Sequence, residues 1–129
     1  MNNPTGNTAL QALVREAQLT GRLTRLPDKH LIAGRACASV TGAKMQTLDP
    51  GTGHVFADFA AGDAQDVDLA VAAARSALTG PWRNATPSQR GKVLSQIALL
   101  IRANADRLAV VECLDSGKRL VEAQGDVAG

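Results

Sequence analysis

The sequence has 129 residues, of which 45% are hydrophobic and 20% charged, with a formal net charge of +2; this fits one soluble globular domain and excludes a chain disordered throughout. Alanine supplies 23 of the hydrophobic residues and three side chains are aromatic; at about 25 cal/mol per Å² of buried apolar surface that composition predicts a thin core, either a small helical domain of limited stability or a piece of something larger. Basic residues are interleaved with acidic ones, as in Asp63, Asp66 and Asp68 ahead of Arg75, which excludes a nucleic-acid-binding stripe; no membrane-length apolar run and no leader-like start occur, so no membrane is expected and the expected location is cytoplasmic.

In chain order, Met1 to Thr8 is polar and expected to be mobile. Leu10, Leu13, Val14 and Ala17 then recur at helical spacing, predicting a short helix from Ala9 to about Thr20-Gly21. With the Pro27-containing linker this makes residues 1–30 an N-terminal extension under no strong requirement to pack on the rest of the chain, and residues 31–129 the main domain. His30 to Ala33 and Ala36 to Val40 read as two short strands around a Gly34-Arg35 turn. Lys44 to Leu48 is extended and stops at Asp49-Pro50-Gly51-Thr52-Gly53, where proline fixes φ and the glycines permit a tight turn. His54 to Phe59 alternates as the return arm of a hairpin with one half-buried face.

From Asp63 the period becomes helical. Asp63 is placed to cap a helix whose stripe is Val67, Ala70, Val71, Ala74 and Leu78, and Gly80-Pro81 ends it. Thr86-Pro87-Ser88-Gln89 is a capping box with proline at the first helical position. A long helix carrying Val93, Leu94, Ile97, Ile101, Leu108 and Val111 comes next, with an offset near Asn104-Ala105-Asp106 and a Gly117 C-cap. Leu120 to Gly129 opens a further amphipathic segment; a chain that stops inside an element reads as truncated. The fold class is therefore α/β, a strand hairpin region followed by amphipathic helices.

Candidate chemistry is sparse. His30 and His54 lack metal-ligand spacing and read as solvated loop histidines. Cys37 and Cys113 are far apart and read as structural thiols, neither a zinc site nor a disulfide framework. Gly51-Thr52-Gly53 precedes a strand and lacks a third glycine, the wrong context for a pyrophosphate loop. Asp115 is the polar residue that asks for a partner, because a carboxylate at a helix C-terminus opposes the helix dipole; a solvated turn aspartate is the competing reading.

The order of segments resembles the start of aldehyde dehydrogenases. Leu31-Ile32-Ala33-Gly34-Arg35 is similar to the family's "FINGEW", Thr47 to Val55 to "TINPATGEVI", Gly62 to Val71 to "GDAEDVDRAV", Gly80-Pro81-Trp82 and Arg90 to "GPW" and "ERG", and Glu112 to Lys118 to "ETLDTGK". Five motifs in order and spacing carry the resemblance, from Leu31 to the last residue. Cys113 stands where the family has threonine, Ala33 where it has asparagine, and Arg119 where proline follows "GK".

The resemblance implies an NAD- or NADP-dependent oxidoreductase that converts an aldehyde to a carboxylic acid, of which these residues form an incomplete, N-terminal part of the fold. The family attacks the aldehyde with a cysteine thiolate, passes hydride from the thiohemiacetal to the nicotinamide, and hydrolyses the thioester. Its nucleophile, general base, oxyanion-site asparagine and cofactor-binding βα units match no position here, so no catalytic or cofactor-binding residue is expected and the fragment is expected to be inactive alone. Cys113, at the threonine position of "ETLD", is not that nucleophile. The implied partners are the rest of an aldehyde dehydrogenase chain and further copies in a homo-oligomer. Thr47 and Leu48, through their carbonyls, and Asp115, through its side chain, match positions with which some members hold a monovalent cation, potassium or sodium. The alternative reading is a stand-alone helical interaction or regulatory module.

Overall fold

The computed structural model describes residues 4–129, so Met1, Asn2 and Asn3 of the expected mobile opening lie outside the described residues. The elements are α1 (Pro4–Thr20), β1 (His30–Ile32), β2 (Arg35–Cys37), β3 (Lys44–Leu48), β4 (Val55–Ala60), α2 (Ala64–Ala77), a 3-10 turn (Pro81–Asn84), α3 (Pro87–Ala103), α4 (Ala105–Ser116) and α5 (Leu120–Ala128). Strands and helices follow the expected order, and the class is α/β with two separate two-stranded sheets, β1 with β2 and β3 with β4. The chain divides into two compact units, residues 4–26, 46–57 and 95–129 in one and residues 27–45 and 58–94 in the other.

The first unit is helical around the β3–β4 turn. α1 begins at Pro4, ahead of the expected Ala9, because proline at a first helical turn gives up no intrahelical donor. It is not left unpacked: Ala17, Leu23 and Val110 form a buried cluster joined by Leu10, Leu13 and Val14 of α1, Leu26, and Val111, Leu114 and Leu120. Two further ties pin the segment after α1, the Thr24 N–H donating to the Glu16 carboxylate at 2.6 Å and the Arg107 guanidinium donating to the Thr24 carbonyl. α4 and α5 pack closely, and Ala109 and Ala123, one from each helix, are fully buried. Small side chains allow backbones to approach, so here alanine contributes by its lack of volume. The expected offset in the long helix is a full break: Asn104 leaves helical geometry, and its side-chain amide donates to the Leu100 carbonyl at 2.8 Å, closing α3 before α4 starts.

The second unit starts from the β1–β2 hairpin, in which His30 faces Cys37 and Ile32 faces Arg35. Ala33 and Gly34 make the turn, both at positive φ, +51° and +74°, so the turn lies one residue earlier than Gly34-Arg35. Two consecutive positive-φ residues are what a two-residue hairpin loop needs to match strand twist. β2 ends at Cys37 rather than Val40, because Ser39 and Val40 direct their donors to a carboxylate of α2. α2 is capped as expected: the Asp63 carboxylate accepts from the N–H groups of Gln65 and Asp66. α3 is likewise opened by its capping box, with Gln89 N–H donating to the Thr86 hydroxyl at 3.3 Å and Thr86 N–H to the Gln89 amide oxygen at 2.7 Å; such caps contribute about 1 kcal/mol each. The apolar stripes behave differently. Val67 and Val71 of α2, its C-cap Leu78, and Val93, Leu94, Ile97 and Ile101 of α3 are all exposed, and α3 holds no buried residue.

Candidate functional site

The first unit joins the end of β3 to the end of α4. Asp49 builds the turn after β3: its carboxylate accepts the Gly51 N–H at 2.8 Å and the Thr52 hydroxyl at 3.0 Å, and its carbonyl accepts the Gly53 N–H at 2.7 Å. That turn presents Pro50 to Gly117, where a Cβ would stand 2.9 Å from the proline Cγ. Gly117 is thus required twice, by its φ of +73° as the C-cap of α4 and by the close approach of Pro50. The consequence is a contact across 68 positions, in which the Thr47 hydroxyl donates to the Asp115 carboxylate at 2.7 Å.

Asp115 lies in the last turn of α4, where its charge meets the negative end of the helix dipole. The Thr47 hydroxyl offsets part of that cost. Of the three residues that the family resemblance implies, the structure brings Thr47 and Asp115 into hydrogen-bond contact and places Leu48 beside Thr47 as the last residue of β3, with its side chain exposed. The chemistry of this donor set, a carboxylate, a hydroxyl and the main-chain carbonyls of a strand end, fits a hard monovalent cation. It offers no nitrogen or sulfur for a transition metal, and among the described residues no trio of His, Cys, Asp or Glu is arranged to hold a metal.

Asp115 also lines a concavity of about 720 Å³ together with Ile101, Arg102, Glu112 and Asp126. Here Lys118 bridges the two helices, its ammonium donating to Glu112 of α4 and Asp126 of α5 at 2.6 Å each. The hydrogen bonds to Asp126 and then Glu112 hold Lys118 well above the usual lysine range, so it is charged at any physiological pH. Cys113 is half-buried, and with His54 it lines a separate cleft of about 810 Å³ whose apolar wall includes Val14, Ala17 and Leu114. His54 itself is exposed, as expected.

The second unit holds a polar centre that sequence reasoning missed. Asp66, in the first turn of α2, is buried at 5% exposure, and its carboxylate accepts the Ser39 hydroxyl at 3.0 Å, the Val40 N–H at 3.0 Å and the Asp63 N–H at 3.1 Å. Burial alone pushes this carboxyl up, but the N–H groups of Asp63 and Val40, the Ser39 hydroxyl and the His30 imidazole together hold it below the usual carboxylate range. His30 is therefore not a solvated loop histidine. It opens β1 with its Nε2 buried 3.9 Å from the Asp66 carboxylate and, among the described residues, without a hydrogen-bond partner, and its ring rests against Gly62, where a Cβ would come within 3.3 Å. The available signal was a second acidic residue three positions after the Asp63 cap, the reciprocal arm of a capping box.

Comparison with known proteins points to one family. Residues 37–129 match the aldehyde dehydrogenase family. An aldehyde dehydrogenase of Alternaria alternata is 46% identical over 92 residues, 71% of this chain and 18% of that protein. Among solved structures, HpcC of Thermus thermophilus superposes with a TM-score of 0.80 at 35% identity over 94% of this chain and 22% of its own. A betaine aldehyde dehydrogenase variant of Staphylococcus aureus, solved in complex with NAD+, superposes with a TM-score of 0.78 at 27% identity, covering 90% of this chain and 23% of its own. The chain spans about a fifth of the length of the relatives it matches.

Proposed function

Given that the chain belongs to the aldehyde dehydrogenase family, we propose that it serves as the N-terminal scaffold of an NAD-dependent oxidation of an aldehyde to a carboxylic acid, and that it does not catalyse that reaction by itself. The observation that carries this reading is the family match over residues 37–129, a stretch that spans only about a fifth of the length of its relatives. NAD is preferred to NADP as the cofactor because NAD+ is the one held by the Staphylococcus aureus relative. We extend the reading to a cytoplasmic homo-oligomer, to the rest of an aldehyde dehydrogenase chain as the covering partner of the α2 and α3 stripes, and to residues 1–30 as an extension ahead of the family domain. Incubating the 129-residue chain with an aldehyde panel and NAD should leave the absorbance of reduced cofactor flat; turnover that disappears in Cys113→Ala would overturn the assignment.

We propose further that Thr47 and Leu48, through their carbonyls, and Asp115, through its carboxylate, hold a monovalent cation. The Thr47–Asp115 hydrogen bond supports this, since it brings the strand end and the carboxylate together. Bound at that corner, the ion would offset the clash between Asp115 and the α4 dipole. Potassium or sodium should therefore raise the melting midpoint of the full chain more than a bulky organic cation at equal ionic strength, and Asp115→Asn should remove the difference.

A further inference from the structure

We infer that Lys118 sets the charge selectivity of the cation position at Thr47, Leu48 and Asp115, acting as an internal counter-ion that keeps the position monovalent; this rests on the cation reading above. Three carboxylates, Glu112, Asp115 and Asp126, line one concavity. Glu112 and Asp115 are three residues apart on α4 and so share a face of the helix. Lys118 Nζ stands 2.6 Å from both Glu112 and Asp126, which puts those two oxygens within about two hydrogen-bond lengths of each other. Neither has any need of an added ion. Asp115 is left with the Thr47 hydroxyl, a neutral donor, so among the described residues it is the carboxylate of the three whose charge no cationic side chain is bonded to compensate.

Charge count around an oxygen site governs how strongly it holds divalent against monovalent ions. With Lys118 in place the three carboxylate side chains and the ammonium sum to a charge of −2, and the Arg102 side chain on the same wall brings that side-chain sum to −1. That field attracts a single positive charge and gives little return for stripping water from a divalent ion. Without Lys118 that side-chain sum becomes −2. Lys118 touches neither Thr47 nor Asp115 through its hydrogen bonds to Glu112 and Asp126, so it is a positioning residue that acts through the local field and through those two carboxylates.

The test is the ion dependence of the melting midpoint of the full chain, measured with potassium, magnesium and calcium chlorides at matched ionic strength. Lys118→Gln should raise the apparent affinity for calcium about tenfold over the parent chain, and the gain should vanish in the Lys118→Gln, Asp115→Asn double variant. Lys118→Arg, which keeps the charge, should keep the parent profile. Glu112→Gln works in the opposite direction: it frees part of the ammonium charge and should weaken the potassium response, so the inference stays testable if Lys118→Gln fails to fold. No calcium gain in Lys118→Gln while the parent still distinguishes potassium from an organic cation would overturn the role of Lys118 and leave the cation reading standing. A calcium gain that survives Asp115→Asn would also overturn it, as binding to the Glu112–Asp126 pair. A parent chain indifferent to potassium would instead strike the cation reading itself.

Discussion

Asp66 and Asp115 are the same residue type at opposite kinds of helix end, the first turn of α2 and the last turn of α4. Asp66 occupies the first turn of α2, where exposed N–H groups and the positive end of the dipole favour a carboxylate, and it gathers three donors in a buried setting. Asp115 occupies the last turn of α4, where the dipole disfavours it, and among the described residues it takes one hydrogen bond, at an exposed position. A carboxylate has roughly four lone-pair sites. Asp66 uses most of them to tie Ser39 and Val40 to α2, and is spent on the fold. Asp115 gives one site to a protein donor, the Thr47 hydroxyl, and at its exposed position the rest face solvent, where an ion can compete for them.

The largest effect is expected at Asp66. Asp66→Asn keeps the shape but puts an NH₂ group among donors, so the Val40 and Asp63 N–H groups and the Ser39 hydroxyl cannot all be satisfied, and the melting midpoint should fall by roughly 5–10 °C. Circular dichroism melts against pH sharpen the point. Because the folded carboxyl lies below its ordinary value, its contribution is fully present above the unfolded value of about 4 and is lost as pH falls through the folded value. The gap between parent and variant should therefore be widest near neutrality and close below about pH 4. Glu16, held low chiefly by the Thr24 N–H, adds stability with the same sign, so some acid lability should persist in Asp66→Asn. A gap independent of pH would show that the carboxylate charge is not what holds Ser39 and Val40.

These two aspartates also mark how far sequence reaches. Features set by neighbours in the chain were legible: the Asp63 cap, the Thr86–Gln89 box, the Gly117 C-cap and the hairpin arms all follow from residues within about four positions, the range over which backbone donors and side chains meet locally. The Asp66 centre was not, because its partners Ser39 and Val40 lie 27 and 26 positions away. They carry no pattern of their own, and Val40 contributes only a backbone N–H. The same holds for α1, whose stripe fits any apolar surface; only the fold shows that Val110 and Leu114 provide it. Asp115 and Thr47 were paired in advance through family resemblance alone, since no periodicity links positions 68 apart. Helical periodicity placed the stripes of α2 and α3 correctly along the chain, yet periodicity identifies a face and not its cover, and both faces are exposed.

A smaller effect is expected in the turn that leads into the Asp66 centre. Ala33 holds φ at +51°, a conformation that costs a residue with a Cβ about 1 kcal/mol and that asparagine and glycine tolerate better. Ala33→Asn, which restores the residue that the family resemblance places there, should stabilise the chain by about 0.5–1 kcal/mol, read from denaturant midpoints at unchanged slope. Combined with Asp66→Asn, the gain should persist undiminished if turn strain and carboxylate network are separate terms. A loss of stability would mean that the turn takes another form in solution.

The smallest effect separates two roles of Thr47. Its hydroxyl donates to Asp115 at 2.7 Å, whereas the proposed cation is held by its carbonyl, so one residue both satisfies the carboxylate and competes with the ion for it. Thr47→Val keeps the strand propensity and the carbonyl while deleting the donor. Between a half-buried threonine and an exposed carboxylate the lost hydrogen bond should cost only about 0.5 kcal/mol in the absence of potassium. Adding potassium should restore that loss, because the carboxylate oxygen released by the hydroxyl becomes a further ligand, and the potassium-dependent rise in melting midpoint should be larger than in the parent chain. Thr47→Ser, which keeps the donor, should match the parent. A Thr47→Val variant that responds less to potassium than the parent would place the hydroxyl oxygen itself among the ligands, and one that responds identically would show that the Asp115 carboxylate takes the ion without giving up the threonine.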